Sequence, residues 1–334
     1  MRKLTITVVG AGITGLWQAL TLARRGHRVR LMERSHVAFA DAASSLAGAM
    51  LAPYCEAEGA EPVVRDLGLE SLAIWKETYP GVVANGTLVV AGARDRAELE
   101  RFQRMTEGFD KLNAEEIDAL EPGLEGRFAA GLYYPAEAHM APRAAMQFLL
   151  DAARDAGVDV ATGAAWPEST AAADTVIDCR GLAARAELPA LRGVRGERII
   201  LRSREIELAR PVRLLHPRHP LYVVPWSEGL FMVGATLIES EDAGPVSARS
   251  LMQLLGAAYA LHPAFAEAEI VEIGAGVRPA FADNVPRVIV RGSTIHVNGL
   301  YRHGFLMAPA LAHQVAEHLQ GGRTDARVVR HETT

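Results

Sequence analysis

An α/β protein is predicted: a Rossmann-type domain built on a parallel sheet, joined to a second, mainly antiparallel β-sheet domain. Three observations predict it. The chain opens on strand, glycine turn, helix, strand and acid. Its middle is a series of β-rich segments joined by turns, and its end repeats a strand, a glycine-bearing loop and a helix.

Ile6, Val8 and Val9 form the β-branched run that a buried parallel strand uses, and it ends directly in Gly10-Ala11-Gly12-Ile13-Thr14-Gly15. Leu16, Ala19, Leu20, Leu22 and Ala23 give the next segment an apolar helical face, closed by Arg24, Arg25 and Gly26. Val29, Leu31 and Met32 then make a second strand ending in Glu33. Each glycine has its own task in such a unit: Gly10 allows the tight turn, Gly12 lets the backbone approach a pyrophosphate, and Gly15 lets helix lie close to strand. The helix N-terminus at Ile13 and Thr14 points unpaired N–H groups at the phosphates, and Glu33 accepts from ribose hydroxyls. The order of these parts, rather than the glycines alone, predicts a bound dinucleotide.

Residues 41–53 are small and polar, and Ser44, Ser45 and Gly48 permit a ligand to approach the backbone closely. A helix is expected over 62–79, with Val63, Leu67, Leu69, Leu72, Ile74 and Trp75 on its apolar positions. From Gly86 the texture changes to a strand at 87–91, a charged helix at 95–110 and a strand at 131–134. An amphipathic helix follows at 142–156, with Pro142 at its first turn. The strand at 174–179 runs to a glycine turn, and its return to the first sheet would put Gly181 beside the dinucleotide. The alanine-rich stretch 161–173 is short, so any crossover sheet there is reduced.

Strands are expected at 198–202, 221–225 and 230–236, the last two joined by a hairpin turn at 226–229. A helix at 247–261 and a strand at 270–276 lead to Arg278 and Pro279, and the chain closes on a strand at 294–297, the loop 298–304 and a helix from about Met307 to Leu319.

A chain of 334 residues is long enough for two domains that share a core. The formal net charge of −5 gives no basic field for nucleic acid or an anionic membrane, so the expected partner is a small molecule. Neither a secretory leader nor a run of membrane-span length is visible, which predicts a cytoplasmic protein; the sequence leaves the oligomeric state open, a homo-oligomer included. Cys55 and Cys179 are far apart and lack paired spacing, which predicts reduced thiols. His216 and His219 have tolerable spacing for a metal, but prolines flank both and two ligands fall short of a zinc set, so no metal is expected.

Taken together, VVGAGITG with Glu33 and Arg34, ASSLAGAMLAP with Met50, LYVVPWSEGLFMVGATLI, GAGVRPAFADNVP and NGLYRHGFLMAPALA make the chain resemble the FAD-dependent oxidoreductases of the D-amino-acid oxidase superfamily, and most of all the bacterial glycine oxidases of thiamine biosynthesis. The resemblance spans nearly the whole chain. It implies a glutathione-reductase-like FAD domain from residues 1–80, 138–190 and 270–334, and a substrate domain from 81–137 and 191–269.

It also implies that FAD fills the cradle and that Arg302, His303, Gly304, Phe305, Leu306 and Met307 lie near the flavin's N1 and C2 carbonyl, where a helix N-terminus stabilises the charge of the reduced ring. Arg278 matches the family's carboxylate-binding arginine, a planar and permanently charged fork, and Tyr222 matches the tyrosine bordering the substrate. Arg302 is either a second substrate contact or a flavin contact. Two departures stand out: the HPRHP loop with Pro220 and Leu221 ahead of Tyr222, and the DCRG ending at Gly181. Relatives of the sarcosine-oxidase branch often hold flavin through a late cysteine. None follows Cys179 here, so non-covalent FAD is expected.

The implied reaction is oxidative deamination of a small amino acid (glycine, sarcosine or a small D-amino acid), with hydride passing from Cα to flavin N5 and O2 reoxidising the flavin to give hydrogen peroxide. Such chemistry needs no acid–base dyad once the amine is neutral, in keeping with the lack of a Ser/His/Asp or paired-carboxylate constellation. The competing readings are an amine dehydrogenase that passes electrons to a quinone, an NAD-dependent dehydrogenase, and a non-catalytic flavoprotein subunit.

Overall fold

A computed structural model describes residues 3–164, 166 and 173–332. The first sheet has seven strands in the order Val329–His331, Arg287–Arg291, Thr294–Asn298, Thr175–Asp178, Thr5–Val9, Arg28–Glu33 and Asp159–Thr162. All of its pairings are parallel except Arg287–Arg291 with Thr294–Asn298. Thr5–Val9 lies between Arg28–Glu33 and Thr175–Asp178 and is buried from Ile6 onward, in keeping with its β-branched composition. The helices Ile13–Arg24, Pro62–Thr78, Pro142–Asp155 and Gly304–Leu319 contribute to one hydrophobic core with this sheet, in which Trp17 and Trp75 meet edge to face at 4.8 Å.

The second sheet has eight strands in the order Glu269–Ala280, Arg192–Arg202, Leu230–Gly234, Leu221–Pro225, Val212–Leu215, Thr87–Ala91, Ala130–Tyr134 and Asp110–Asn113. It is antiparallel except for the pair Val212–Leu215 and Thr87–Ala91. One face packs on the helix Ala248–Leu261, whose Ser247 accepts a hydrogen bond from the Ser250 N–H as its cap. The opposite face looks towards the first sheet.

Several local expectations shift. The charged helix spans only Arg96–Met105, and the residues after it form the edge strand Asp110–Asn113, whose polar composition hides a strand exposed along its length. Glu269–Ala280 runs longer than its apolar part and belongs to the second sheet, although residues from 270 onward are expected in the FAD domain. The last helix starts at Gly304 rather than near Met307, so Gly304, Phe305 and Leu306 are its first turn. Of the alanine-rich stretch 161–173, residues 165 and 167–172 lie outside the described residues. Among the described residues no helix is long and apolar enough to cross a membrane.

Candidate active site

The two sheets and the loop 41–50 enclose one elongated cavity of about 1280 Å³. Small-molecule pockets commonly hold roughly 300–1,000 Å³, so this one has room for a dinucleotide and a small substrate together. At one end it is lined by Gly10, Gly12, Ile13, Thr14, Glu33 and Arg34, and at the other by Tyr222, Arg278 and Arg302.

The first end is shaped by backbone. Gly10 has a φ of 96°, and a Cβ there would lie 2.8 Å from the carbonyl oxygen of Cys179 on the neighbouring strand. Gly15 does not line the cavity. A Cβ on it would lie 1.8 Å from the Gly10 carbonyl oxygen, so its work is to let the helix lie against the turn. Glu33 accepts from the Ala11 N–H at 2.8 Å and from the Ser35 N–H at 3.0 Å, which ties the glycine turn to the end of the second strand. A carboxylate has about four lone-pair directions, so Glu33 keeps acceptor capacity towards the cavity it lines.

The loop 41–50 lies across the middle. Ser44 accepts from the Ile13 N–H at 3.1 Å, right at the helix N-terminus. Ser45 is buried and donates to the Ala42 carbonyl, so its hydroxyl holds the loop together. Gly48 is closely approached by a side chain: a Cβ there would sit 3.0 Å from Cε2 of Tyr222. Met50 starts the short strand Met50–Leu51, and Gly181 has a φ of 59° and a carbonyl that accepts from Asn298. Both line the cavity. The DCRG ending is an ionic anchor: the buried Asp178 receives Arg180 at 2.9 Å and His296 at 3.0 Å. Burial alone would raise its pKa, but these partners bring it down to about 2.

At the start of the last helix, Gly304 lies close to the first helix, with a hypothetical Cβ 3.3 Å from Ile13 Cγ2, so two helix N-termini adjoin within one cavity. Phe305 and Leu306 send their side chains into the core. Phe305 stacks on Trp75, whose indole N–H donates to the Phe305 carbonyl at 2.7 Å, and Leu306 lies over Gly68. What these two residues offer a ligand is the backbone of the helix's first turn. His303 is buried rather than solvent-facing, and burial lowers its pKa to about 4, so it is neutral at pH 7.

The second end is built from side chains. Arg278 pairs in register with Val194, and its guanidinium lies over Gly196, where a Cβ would clash at 2.0 Å. Its hydrogen bond to the Thr236 carbonyl is long, at 3.4 Å, and among the described residues no carboxylate pairs with it. Tyr222, opposite Gly234, spreads over that glycine and Gly48. Arg302 follows Tyr301, which holds a left-handed φ of 49° fixed by its N–H bond to the Pro279 carbonyl. Arg302 does not stand free, since its Nε meets Glu56 Oε2 at 2.7 Å.

Glu56, Arg213 and Arg198 also line the cavity and are missed by sequence reasoning. Arg213 stands among Val212, Leu214 and Leu215, and a charge in so apolar a run is a signal the sequence carries. Glu56 follows the small-residue loop with nothing local to single it out. His216 and His219 stack on each other, with His216 Nδ1 accepting from the Arg218 and His219 N–H groups, and neither lines the cavity, whereas Pro220 and Leu221 do.

Comparison with known proteins agrees with this geometry. The chain is 54% identical over 315 residues to a Rhizobium etli protein named as a thiamine biosynthesis oxidoreductase, ThiO, covering 94% of this chain and 96% of that one. It is 27% identical over 355 residues to the glycine oxidase of Geobacillus kaustophilus, covering 93% and 92% of the two chains. The crystal structure of glycine oxidase from Geobacillus kaustophilus superposes with a TM-score of 0.81 at 25% identity, over 97% of this chain and 96% of that one. The model of the DAO family, FAD dependent oxidoreductases, matches residues 5–318, and the chain belongs to that family.

Proposed function

We propose that this chain is an FAD-dependent oxidase of glycine or another small amino acid, acting in thiamine biosynthesis with dioxygen as electron acceptor. The observation that carries the reading is Arg278, a cation on the cavity wall that no carboxylate of the described residues neutralises. A substrate carboxylate completes it.

The cavity fits FAD on its own features: a glycine turn with a helix N-terminus at Ile13, an acid at Glu33, and a second helix N-terminus at Gly304 beside the first. The Thr14 N–H, with Ser44 on the Ile13 N–H beside it, would hold the diphosphate, Glu33 the ribose, and the backbone from His303 to Leu306, with Gly48, Met50 and Gly181, the ring system. When bound, FAD supplies the redox chemistry, taking hydride from the substrate Cα at N5 and passing the electrons to dioxygen as hydrogen peroxide.

The protein's share is placement. Arg278 binds the carboxylate in a two-point fork, which fixes the rotation of the small substrate about its Cα. Tyr222 closes the side of the chamber, and Gly48 lets it lie flat there. Neutral His303 adds no further positive charge beside the substrate amine. The free, buried Cys55 and Cys179 suit a reducing, cytoplasmic setting.

The test is a substrate panel followed by flavin bleaching without oxygen. Glycine, sarcosine or a small D-amino acid is expected to bleach the flavin, with peroxide appearing on admission of air. Failure of all of them to bleach overturns the reading, and bleaching without peroxide overturns the acceptor. Acid precipitation is expected to leave the yellow colour in solution, because the cofactor is held without a covalent bond.

A further inference from the structure

Glu56 sits at the end of the short helix Pro53–Glu56, with its side chain only 12% exposed, in a fork of three basic side chains. Oε1 accepts from Arg213 at 2.7 Å, while Oε2 is ion-paired with Arg302, with Nε at 2.7 Å but outside hydrogen-bond geometry, and lies 3.3 Å from His303 Nδ1. The loop that carries it is itself anchored, since Cys55 donates its N–H to the fully buried Glu137 at 2.7 Å and Arg213 bonds the Cys55 carbonyl at 3.3 Å. Burial alone would raise the pKa of Glu56, but Arg302 and Arg213 bring it down to about 2, so it is a permanent anion at working pH.

The position of the contact on Arg302 is informative. Nε is the Arg302 nitrogen that meets Glu56, in an ion pair at 2.7 Å, while one terminal nitrogen lies 3.9 Å from where a Cβ on Gly59 would stand; among the described residues no guanidinium nitrogen of Arg302 has a hydrogen-bond partner. An arginine ion-paired along its Nε edge is drawn towards that partner while its outer edge keeps donors for an anion. Arg302, Arg213 and Glu56 all line the same cavity as Arg278.

We propose that Glu56 is a positioning residue: braced by Arg213, it draws Arg302 in by an ion pair at Nε and so holds the terminal nitrogens of that guanidinium in the substrate chamber, where they and Arg278 bind the amino-acid carboxylate. The proposal rests on the carboxylate-site reading above. It makes Arg302 a substrate contact, and it makes Glu56 act only through Arg302.

A double-mutant cycle on the FAD-loaded enzyme tests it, with acetate as the probe and its Kd read from the flavin spectrum. Glu56→Gln keeps an acceptor but loses the charge, and its single amide oxygen cannot face Arg213 and Arg302 at once. Acetate binding is expected to weaken roughly tenfold or more, with KM for the amino acid rising in step, kcat nearly unchanged and FAD content intact. In an Arg302→Met background the same change is expected to have no further effect on acetate binding. An equal loss in both backgrounds overturns the proposal, as does an Arg302→Met variant that binds acetate normally. If Glu56→Gln does not fold, Glu56→Asp, which keeps the charge and withdraws it by one methylene, runs through the same cycle. Arg278→Met separates the levels: unaltered acetate binding there defeats the carboxylate-site reading itself, whereas weakened binding there with no coupling between Glu56 and Arg302 defeats only the role of Glu56.

Discussion

At the Gly10–Gly15 end of the cavity the contacts that matter are made by backbone: the Ala11 N–H to Glu33, the Ile13 N–H to Ser44, and the close approach of Gly15 to the Gly10 carbonyl. At the Arg278 end they are made by side chains drawn from widely separated segments, among them Glu56, Arg213, Tyr222, Arg278 and Arg302. Conformation governs the first region and charge the second. The first should therefore fail through shape, losing cofactor and fold together, while the second should fail through chemistry, losing turnover with cofactor still bound.

The largest effect is expected from Gly15→Ala. Its Cβ would fall 1.8 Å from a carbonyl oxygen that belongs to backbone and cannot step aside. Such overpacking should cost about 3 kcal/mol or more. The purified protein should be colourless or insoluble, and a yellow, stable Gly15→Ala protein would break the comparison. Arg278→Met comes next. It should stay yellow and fold normally while kcat/KM for the amino acid drops by roughly 10²–10³, the scale of losing one charged hydrogen-bonded partner. Steady-state kinetics beside a flavin spectrum checks it; loss of FAD in this variant would mean that the two ends are not separable.

The third effect concerns pH. Glu137 is fully buried, and burial raises its pKa from 4.5 to about 7. A carboxyl whose pKa is higher folded than unfolded contributes stability that is fully present below its unfolded value and lost as pH rises through its folded value. Melting temperature should therefore fall between about pH 5 and 8. Glu137→Gln, which keeps an acceptor for the Cys55 N–H, should flatten that slope and be more stable than wild type at pH 8, by on the order of 2 kcal/mol. Glu56 has the opposite sign. Its pKa falls from 4.5 to about 2, so its contribution is present above the unfolded value and disappears only as pH drops towards the folded one. An acid melt series on Glu56→Gln separates the two groups. The smallest effect belongs to Gly48→Ala, where the new methyl meets the Tyr222 ring at 3.0 Å and the ring must move by a few tenths of an ångström. A loss of about 1 kcal/mol in kcat/KM with unchanged FAD affinity is expected.

The same contrast explains what could be read from the chain. Gly10, Gly12, Gly15 and Glu33 lie within one strand–helix–strand unit, where period, turn and spacing are local properties, and a sequence carries them openly. Arg278 was legible because it falls in the stretch GAGVRPAFADNVP and matches the family's carboxylate-binding arginine. Glu56 was not, because its meaning depends on Arg213 and Arg302, which reach it from 157 residues away and from the far end of the chain. The helix start at Gly304 was missed for a related reason. Glycine and histidine are poor helix openers by propensity, and the turn is held there by tertiary contact, through Trp75 to the Phe305 carbonyl.

That last contact also gives the protein an optical gauge of its own loading. Trp75 is fully buried, edge-on to Trp17 and bonded to the first turn of the last helix, which lines the cavity. Oxidised flavin absorbs where tryptophan emits, so the fluorescence of this indole pair should be quenched in the yellow enzyme and recover as cofactor leaves. FAD affinity can then be titrated without a substrate and without a label.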